Sequence, residues 1–332
     1  MSITTPSRLR THRLQILLFQ LRGLRILACV LLGCALAQPV AAKKLFSYQD
    51  ENGRWHFSDT KPDTDADVSV ERIKVHQRDK NVYVRQVGAN SAPTYQVQNL
   101  FAGPIEIEFR LVSPVNTIAR PSLPRSFVVP ANTTVNLFSL HPRKSGKSWS
   151  SGFSYIFVPG SPKADHTQID NYQLPYARGA RYPVSQGFNG EYSHNGLQGR
   201  YAVDFAMPDG TPVHAARQGT VMDVARDYYS GGVDRDKFGA RANFIRILHD
   251  DGTHAIYAHL RWESVLVVAG NRVRRGQVIA KSGSTGFSSG PHLHFAVQQN
   301  DGMRLVSIPF RFKVAHQVAP VTPQAGDLLI AQ

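Results

Sequence analysis

Gly290-Pro291-His292-Leu293-His294-Phe295 decides how the second half of this chain is read. A strand has a side-chain period of two, so His292 and His294 share one face while Leu293 and Phe295 point the other way. The apolar face belongs to a core. The imidazole face is left for chemistry, with one nitrogen on a metal and another a few ångströms away for acid or base work. A surface strand with two solvated histidines fits the same spacing, so the neighbouring strands have to decide.

In Tyr201-Ala202-Val203-Asp204-Phe205-Ala206, Val203 and Phe205 share a core face and Asp204 points opposite. Segments 244–249 and 255–260 form a hairpin around Asp250-Asp251-Gly252, which puts Tyr257 and His259 on one face. Three strands then offer one carboxylate and the imidazoles of His259, His292 and His294, as though one sheet face were built around a zinc ion.

The rest of the chain is also expected to be mainly β. Residues 171–315 carry β-branched runs and glycine turns with little helical periodicity, which predicts an antiparallel-sheet domain. Residues 79–165 alternate apolar and polar positions in short runs separated by turns, the pattern of a β-sandwich-like domain. No reactive constellation appears there, so it reads as a spacer, a binding module or a shield over an active groove. Residues 43–78 form a small β module whose aromatics flank an Asn52-Gly53 hairpin turn. Through Tyr48, Asp50 to Gly53 and Phe57 to Asp59 it resembles a module found after the signal in many proteobacterial envelope proteins. The mildly proline-rich stretch 316–332 is expected to be a flexible tail.

The first 42 residues read as an export signal. Arg8, Arg10, Arg13, Arg22 and Arg25 precede a short apolar run, and Val40-Ala41-Ala42 offers small residues for cleavage. Cys29 and Cys34, the only cysteines, lie inside this signal, so the exported protein needs no disulfides. Leu31-Leu32-Gly33-Cys34 leaves a lipoprotein site at Cys34 as a less favoured alternative, because Leu32 is bulky for its place. The expected location is the periplasm or cell envelope of a Gram-negative bacterium. Removing residues 1–42 takes five arginines and no acid from a net charge of +14, leaving +9. Such a surface suits anionic envelope polymers, and equally simple solubility; no nucleic-acid motif accompanies it.

Residues 180–300 resemble the zinc metallopeptidases of the lysostaphin and LytM type, family M23. The matching residues occur in the family order: Val203-Asp204, Gly210 to Val213, Ala215-Ala216, Gly219 to Val221, Tyr257 to Leu260, Gly276 to Ile279, Gly283 to Gly286 and Gly290 to Phe295. The resemblance implies an antiparallel sheet with an open groove and a peptidoglycan substrate. It implies zinc ligation by Asp204 and His294, and catalytic roles for His259 and His292. Two imidazoles and a carboxylate leave zinc an open position for water, whose proton a neighbouring imidazole can accept.

One position departs from the family. Its first histidine ligand stands four residues before the aspartate, where this chain has Arg200, and arginine cannot ligate zinc. His194, ten residues before Asp204, is the nearest substitute, with Gly196 and Gly199 letting the chain turn back. The other reading is a solvated loop histidine beside a broken site.

Smaller expectations complete the list. His249 and His254 are structural or solvated, His214 is a groove-wall residue at best, and Tyr257 is a buried tyrosine with a satisfied hydroxyl. Arg200 is expected to form a salt bridge, with orientation of a substrate carboxylate as the alternative, and residues 226–242 form a long loop beside the groove. The leading expectation is a secreted zinc metalloendopeptidase acting on peptidoglycan cross-links or stem peptides. The alternative is a catalytically degenerate regulator that binds the wall or activates other wall hydrolases.

Overall fold

The computed structural model describes residues 42–49, 51, 55–58, 61–74, 81–162, 164–167 and 172–332. The export signal with Cys34, and the Asn52-Gly53 turn, lie outside the described residues. Strands β1 (Ala42–Gln49) and β2 (Trp55–Ser58) pair antiparallel with Phe46 opposite Ser58, and β3 (Ser69–Lys74) follows. Residues from 81 onward belong to one compact unit. Among the described residues no helix is long and apolar enough to cross a membrane.

Two facing sheets form the middle domain. Strands β4 (Val82–Val87), β5 (Thr94–Asn99), β6 (Ile105–Val115), β7 (Thr117–Arg120), β8 (Arg125–Val129), β9 (Thr133–Pro142) and β10 (Ser150–Pro159) sort into sheets of order β4-β5-β9-β7 and β10-β6-β8. The alternation read in the sequence is the cause: β5 buries every second residue, including Tyr95 and Val97. These meet Ile105, Ile107, Phe109, Phe138 and Leu140, with Phe138 stacked on Tyr95 at 4.9 Å. Buried Asn99 ties off the end of β5 by donating to the carbonyls of Gly103, Val129 and Pro130 and accepting from the Phe101 N–H.

The C-terminal domain adds β11 (Tyr172–Gln173), β12 (Arg181–Gln186), β13 (Ala202–Phe205), β14 (Pro212–His214), β15 (Gly219–Ala225), β16 (Gly231–Gly232), α1 (Arg235–Phe238), β17 (Phe244–Leu248) and β18 (His254–Ala258). It continues with β19 (Arg272–Val273), β20 (Val278–Lys281), β21 (Gly286–Phe287), β22 (Leu293–Asn300), β23 (Leu305–Ser307), β24 (Phe312–Lys313) and β25 (Leu328–Ile330). Nine of these strands make one sheet of order β19-β15-β17-β18-β22-β13-β12-β25, with β23 beside β22. Its core face gathers Val203, Phe205, Leu293 and Phe295 under Phe310 and Phe312, as the period-two reading expected, together with Tyr257, which that reading placed on the face of His259.

One expectation changes here. The stretch 316–332 is no flexible tail. β25 pairs antiparallel with β12, Leu329 against Tyr182, and Leu329 and Ala331 are buried. The Tyr176 hydroxyl also donates to the Leu329 carbonyl at 2.8 Å. A three-residue apolar run after a proline-rich stretch gains its order only from a partner strand some 150 residues away.

The middle domain packs against strands β15, β17 and β22 of this sheet. Met222 of β15 is fully buried inside the sandwich core, and Leu248 of β17 packs against it. Glu106, buried on β6, accepts from Asn300 Nδ2 at 2.9 Å and from the Met303 N–H at 2.8 Å. Asn81 donates to Asp223 at 3.1 Å. Asn300 ends the strand near whose start His294 stands, six residues or roughly 20 Å away.

Candidate metal centre

The register of three strands builds the site. β13 pairs with β22 so that Asp204 lies opposite His294, and β18 pairs on the other side of β22 with Ala258 opposite His294. His259 follows at the end of β18 in a left-handed conformation, φ 61°. That twist is uncommon for a residue with a Cβ. A buried network holds it. Asn243 Nδ2 and Thr285 Oγ1 both donate to the Leu260 carbonyl, at 3.2 and 2.8 Å, and Thr285 Oγ1 accepts from the Asn243 N–H. The Thr285 carbonyl in turn accepts from His259 Nδ1 at 2.7 Å.

His194 is not a solvated loop histidine. It is fully buried, and Gln186, at the end of β12, fastens the part of its loop around Ser193 to the sheet. Gln186 Nε2 donates to Ser193 Oγ at 2.7 Å and to Asp204 Oδ2 at 3.0 Å, while Oε1 accepts the N–H groups of Tyr192 and Ser193. Gln186 was not singled out from the sequence. Nothing local marks it, because its partners lie on a loop and on another strand.

His194, Asp204 and His294 each present one ligand atom, and these atoms lie within 4.8 Å of one another. His294 Nδ1 is 2.8 Å from Asp204 Oδ1. His194 Nδ1 donates to the Gly187 carbonyl at 2.9 Å, which fixes its tautomer and leaves the Nε2 lone pair facing the carboxylate. Nε2 lies 3.2 Å from Asp204 Oδ2 but is misaligned, and it is buried without a hydrogen-bond partner. A lone pair beside a carboxylate, both largely withdrawn from water, is met by a cation between them, either a proton or a metal ion. The residues therefore fit a divalent metal bound by two nitrogens and one oxygen, a donor set that suits zinc.

The electrostatics agree with that reading. Burial pushes the Asp204 carboxyl up, but the contacts with His194 and His294 more than reverse this and hold it well below the usual carboxylate range. Burial pulls His194 down, and the same carboxylate raises it further than burial lowers it. His259 and His292 behave differently. Burial, reinforced by the neighbouring imidazoles of His292 and His294, lowers His259 to about 3. Burial also lowers His292, against the opposing pull of Asp204. Their rings are 4.5 Å apart, and His292 Nε2 is 4.0 Å from Asp204 Oδ1. His292 Nδ1 is 2.9 Å from the Gly290 carbonyl, so both rings keep Nε2 free for proton traffic.

The structure therefore brings together all five residues singled out as site candidates. Others stand apart. Arg200 is exposed, and among the described residues it makes no ion pair. His214 is bonded to the Gly276 carbonyl at 2.7 Å, and the Tyr257 hydroxyl accepts from the buried Ala216 N–H at 2.8 Å. Loop 226–242 is ordered rather than open: β16 pairs in parallel with β21, and short α1 follows.

An antiparallel sheet carrying two imidazoles and a carboxylate, with a second imidazole pair beside them, is a site of the kind metal-dependent hydrolases use. Residues 198–305 match the model of peptidase family M23, and the chain carries a peptidase M23 domain there. The match starts after His194, so the place of that residue in the site rests on geometry. Residues 32–80 match a domain of unknown function. The glycyl-glycine endopeptidase ALE-1 of Staphylococcus capitis is 37% identical over 147 residues, 43% of this chain and 34% of that protein. Peptidoglycan DD-endopeptidase ShyB of Vibrio cholerae is 37% identical over 128 residues, 35% of this chain and 27% of that protein. The chain thus spans about a third or less of the length of these relatives. The crystallised catalytic domain of the antimicrobial peptidase lysostaphin from Staphylococcus simulans aligns at 27% identity over 40% of this chain and 85% of that one, with a TM-score of 0.25.

Proposed function

We propose that this chain is an exported zinc metalloendopeptidase that hydrolyses peptide bonds in bacterial peptidoglycan. The observation that carries the reading is the convergence of His194, Asp204 and His294 around the unpartnered His194 Nε2, with His259 and His292 alongside. Zinc held by these three side chains supplies Lewis acidity to a scissile carbonyl and eases the ionisation of water.

The chain's own residues supply the rest. The Gly187 carbonyl fixes the His194 ring, and Gln186 holds its loop against Asp204, so the donor set is preorganised. His259 and His292 enter neutral, with Nδ1–H bonded to carbonyls and Nε2 free. One accepts the proton of the attacking water at Nε2 and returns it to the leaving amine; the other would have to take up a proton from bulk solvent at its own Nε2 before it could steady the charge growing on the carbonyl oxygen. The polypeptide relatives named for endopeptidase action support peptide bonds of the wall as the substrate class.

The test is zinc content and wall digestion by the purified chain. About one zinc per chain and chelator-sensitive clearing of purified peptidoglycan are expected, with clearing lost in His292→Ala while zinc stays bound. Stoichiometric zinc with no cleavage of any wall preparation overturns the reading.

A further inference from the structure

Loop 226–242 is fastened to the segment that carries the proton-handling histidines. Asn243 Oδ1 accepts from the Tyr228 N–H, and Asn243 Nδ2 donates to the Tyr228 carbonyl. Backbone meets backbone further along: a Cβ on Gly231 would fall 1.8 Å from the Ser284 carbonyl oxygen, so nothing larger fits. The Ser288 N–H donates to the Gly232 carbonyl at 3.0 Å, and the Ser288 hydroxyl lies 3.3 Å from His292 Nδ1. Asp234 caps α1 by accepting from the Lys237 N–H at 3.1 Å.

From this anchored turn Arg235 lays its guanidinium over the ring of Phe287, 4.2 Å from the centroid. Phe287 in turn stacks on Tyr192 at 5.8 Å and 14°. The three side chains link loop 226–242, the Thr285–Ser288 segment and the loop that carries His194. A guanidinium lying on an aromatic face keeps its N–H donors around the rim, aimed sideways in the geometry that grips a carboxylate. Among the described residues, Arg235 has no carboxylate within ion-pair distance. Arg217 shows the contrast: buried, it is spent on Asp250 and Asp251.

We propose that Arg235 is a specificity-determining residue that reads a free carboxylate on the peptide beside the scissile bond, as a diaminopimelate-type stem residue presents. The proposal rests on the endopeptidase reading above and names the chemical class of peptide that site prefers. The cost of holding a long side chain in place is met in advance by the Phe287 stack, which is why a single exposed arginine can discriminate here.

The test uses the zinc-loaded full chain and two fluorescent cross-linked stem peptides that differ only in whether the diaminopimelate carboxyl is free or a carboxamide. Binding is measured by anisotropy in the His292→Ala background, so that no turnover intrudes. The carboxylate peptide is expected to bind roughly tenfold tighter, the scale of one charge-assisted hydrogen bond, with the difference erased by Arg235→Gln and partly kept by Arg235→Lys. Equal affinity for the two peptides, binding of neither, or a preference that survives Arg235→Gln overturns the proposal. Cleavage by the chain with His292 intact separates the two readings. Turnover of both peptides at the same kcat/KM sinks the role of Arg235 and leaves the endopeptidase standing. Preferential binding without turnover does the reverse.

Discussion

His254 and His259 lie five residues apart, at the start and just past the end of one strand; His254 is fully buried and His259 half-buried, and their surroundings make them different objects. His254 faces Gly160, Asn300 and Arg246 at the sandwich-facing end of the sheet, and neither of its ring nitrogens has a hydrogen-bond partner among the described residues. Nearby His249 donates to the Gln218 carbonyl and packs edge-on against Tyr172. At the other end, His259 packs against His292 at a tilt of 39°, with Asp204, His194 and His294 beyond. The more deeply buried pair, His249 and His254, lies outside the site, so burial does not mark it. A shared carboxylate does, because it turns imidazoles that burial would keep neutral into a set that attracts a cation.

The sharpest way to break this comparison is to remove a ligand. His194→Ala should abolish zinc retention and wall clearing together, because a site reduced to two donors holds zinc poorly; metal analysis after dialysis reads it. His254→Ala should leave zinc content untouched. Zinc retained at full occupancy in His194→Ala would move the first ligand elsewhere.

Next in size is the network behind His259. Asn243→Ala removes the donor that reaches the Leu260 carbonyl and both bonds to Tyr228. Activity should fall by roughly 10–100-fold with zinc still bound, the usual cost of disturbing a group that orients the site. Steady-state kinetics alongside metal content separates this from ligand loss.

The sandwich-facing end should respond in stability instead. Met222→Ala empties a site shared by two domains and should cost about 2–5 kcal/mol in urea unfolding while the zinc content per folded chain stays the same.

The smallest effect is a pH slope. Burial, then the charge of Arg217, lowers His249 to about 4; burial, then Arg246, holds His254 well below an ordinary histidine. Asp250 and Asp251 pull His249 the other way without reversing it. In the unfolded chain both titrate near 6.5, so below that value the unfolded state binds more protons. Their contribution is complete above about pH 6.5 and drains as the pH falls toward the folded values, at no more than about 1.4 kcal/mol per unit per ring. Urea midpoints between pH 7.5 and 5 should show the slope, and His249→Asn should flatten it.

Much of the site was legible because strand periodicity is local. Asp204, His292 and His294 announce themselves by pointing away from core neighbours, and no structure is needed to see it. His194 was legible only as the nearest histidine to a vacant place in a pattern. Its burial, its tautomer and its contact with Asp204 come from Gln186 and the Gly187 carbonyl, neither of which carries a signal in the sequence. The same holds for Asn243: it is one polar residue before a strand until the Tyr228, Leu260 and Thr285 segments close around it.

By itself, then, the sequence determined most of the strands and of their inward and outward faces, and the residue types able to hold a metal, since each follows from alternation and side-chain chemistry along a few consecutive residues. The tertiary structure alone decided which strands become neighbours. That choice closed the 194 loop onto Asp204, drew 328–330 into the main sheet and seated the sandwich on Met222 of β15. Pairing and docking depend on surfaces that meet only when distant segments fold together, and no local pattern encodes them.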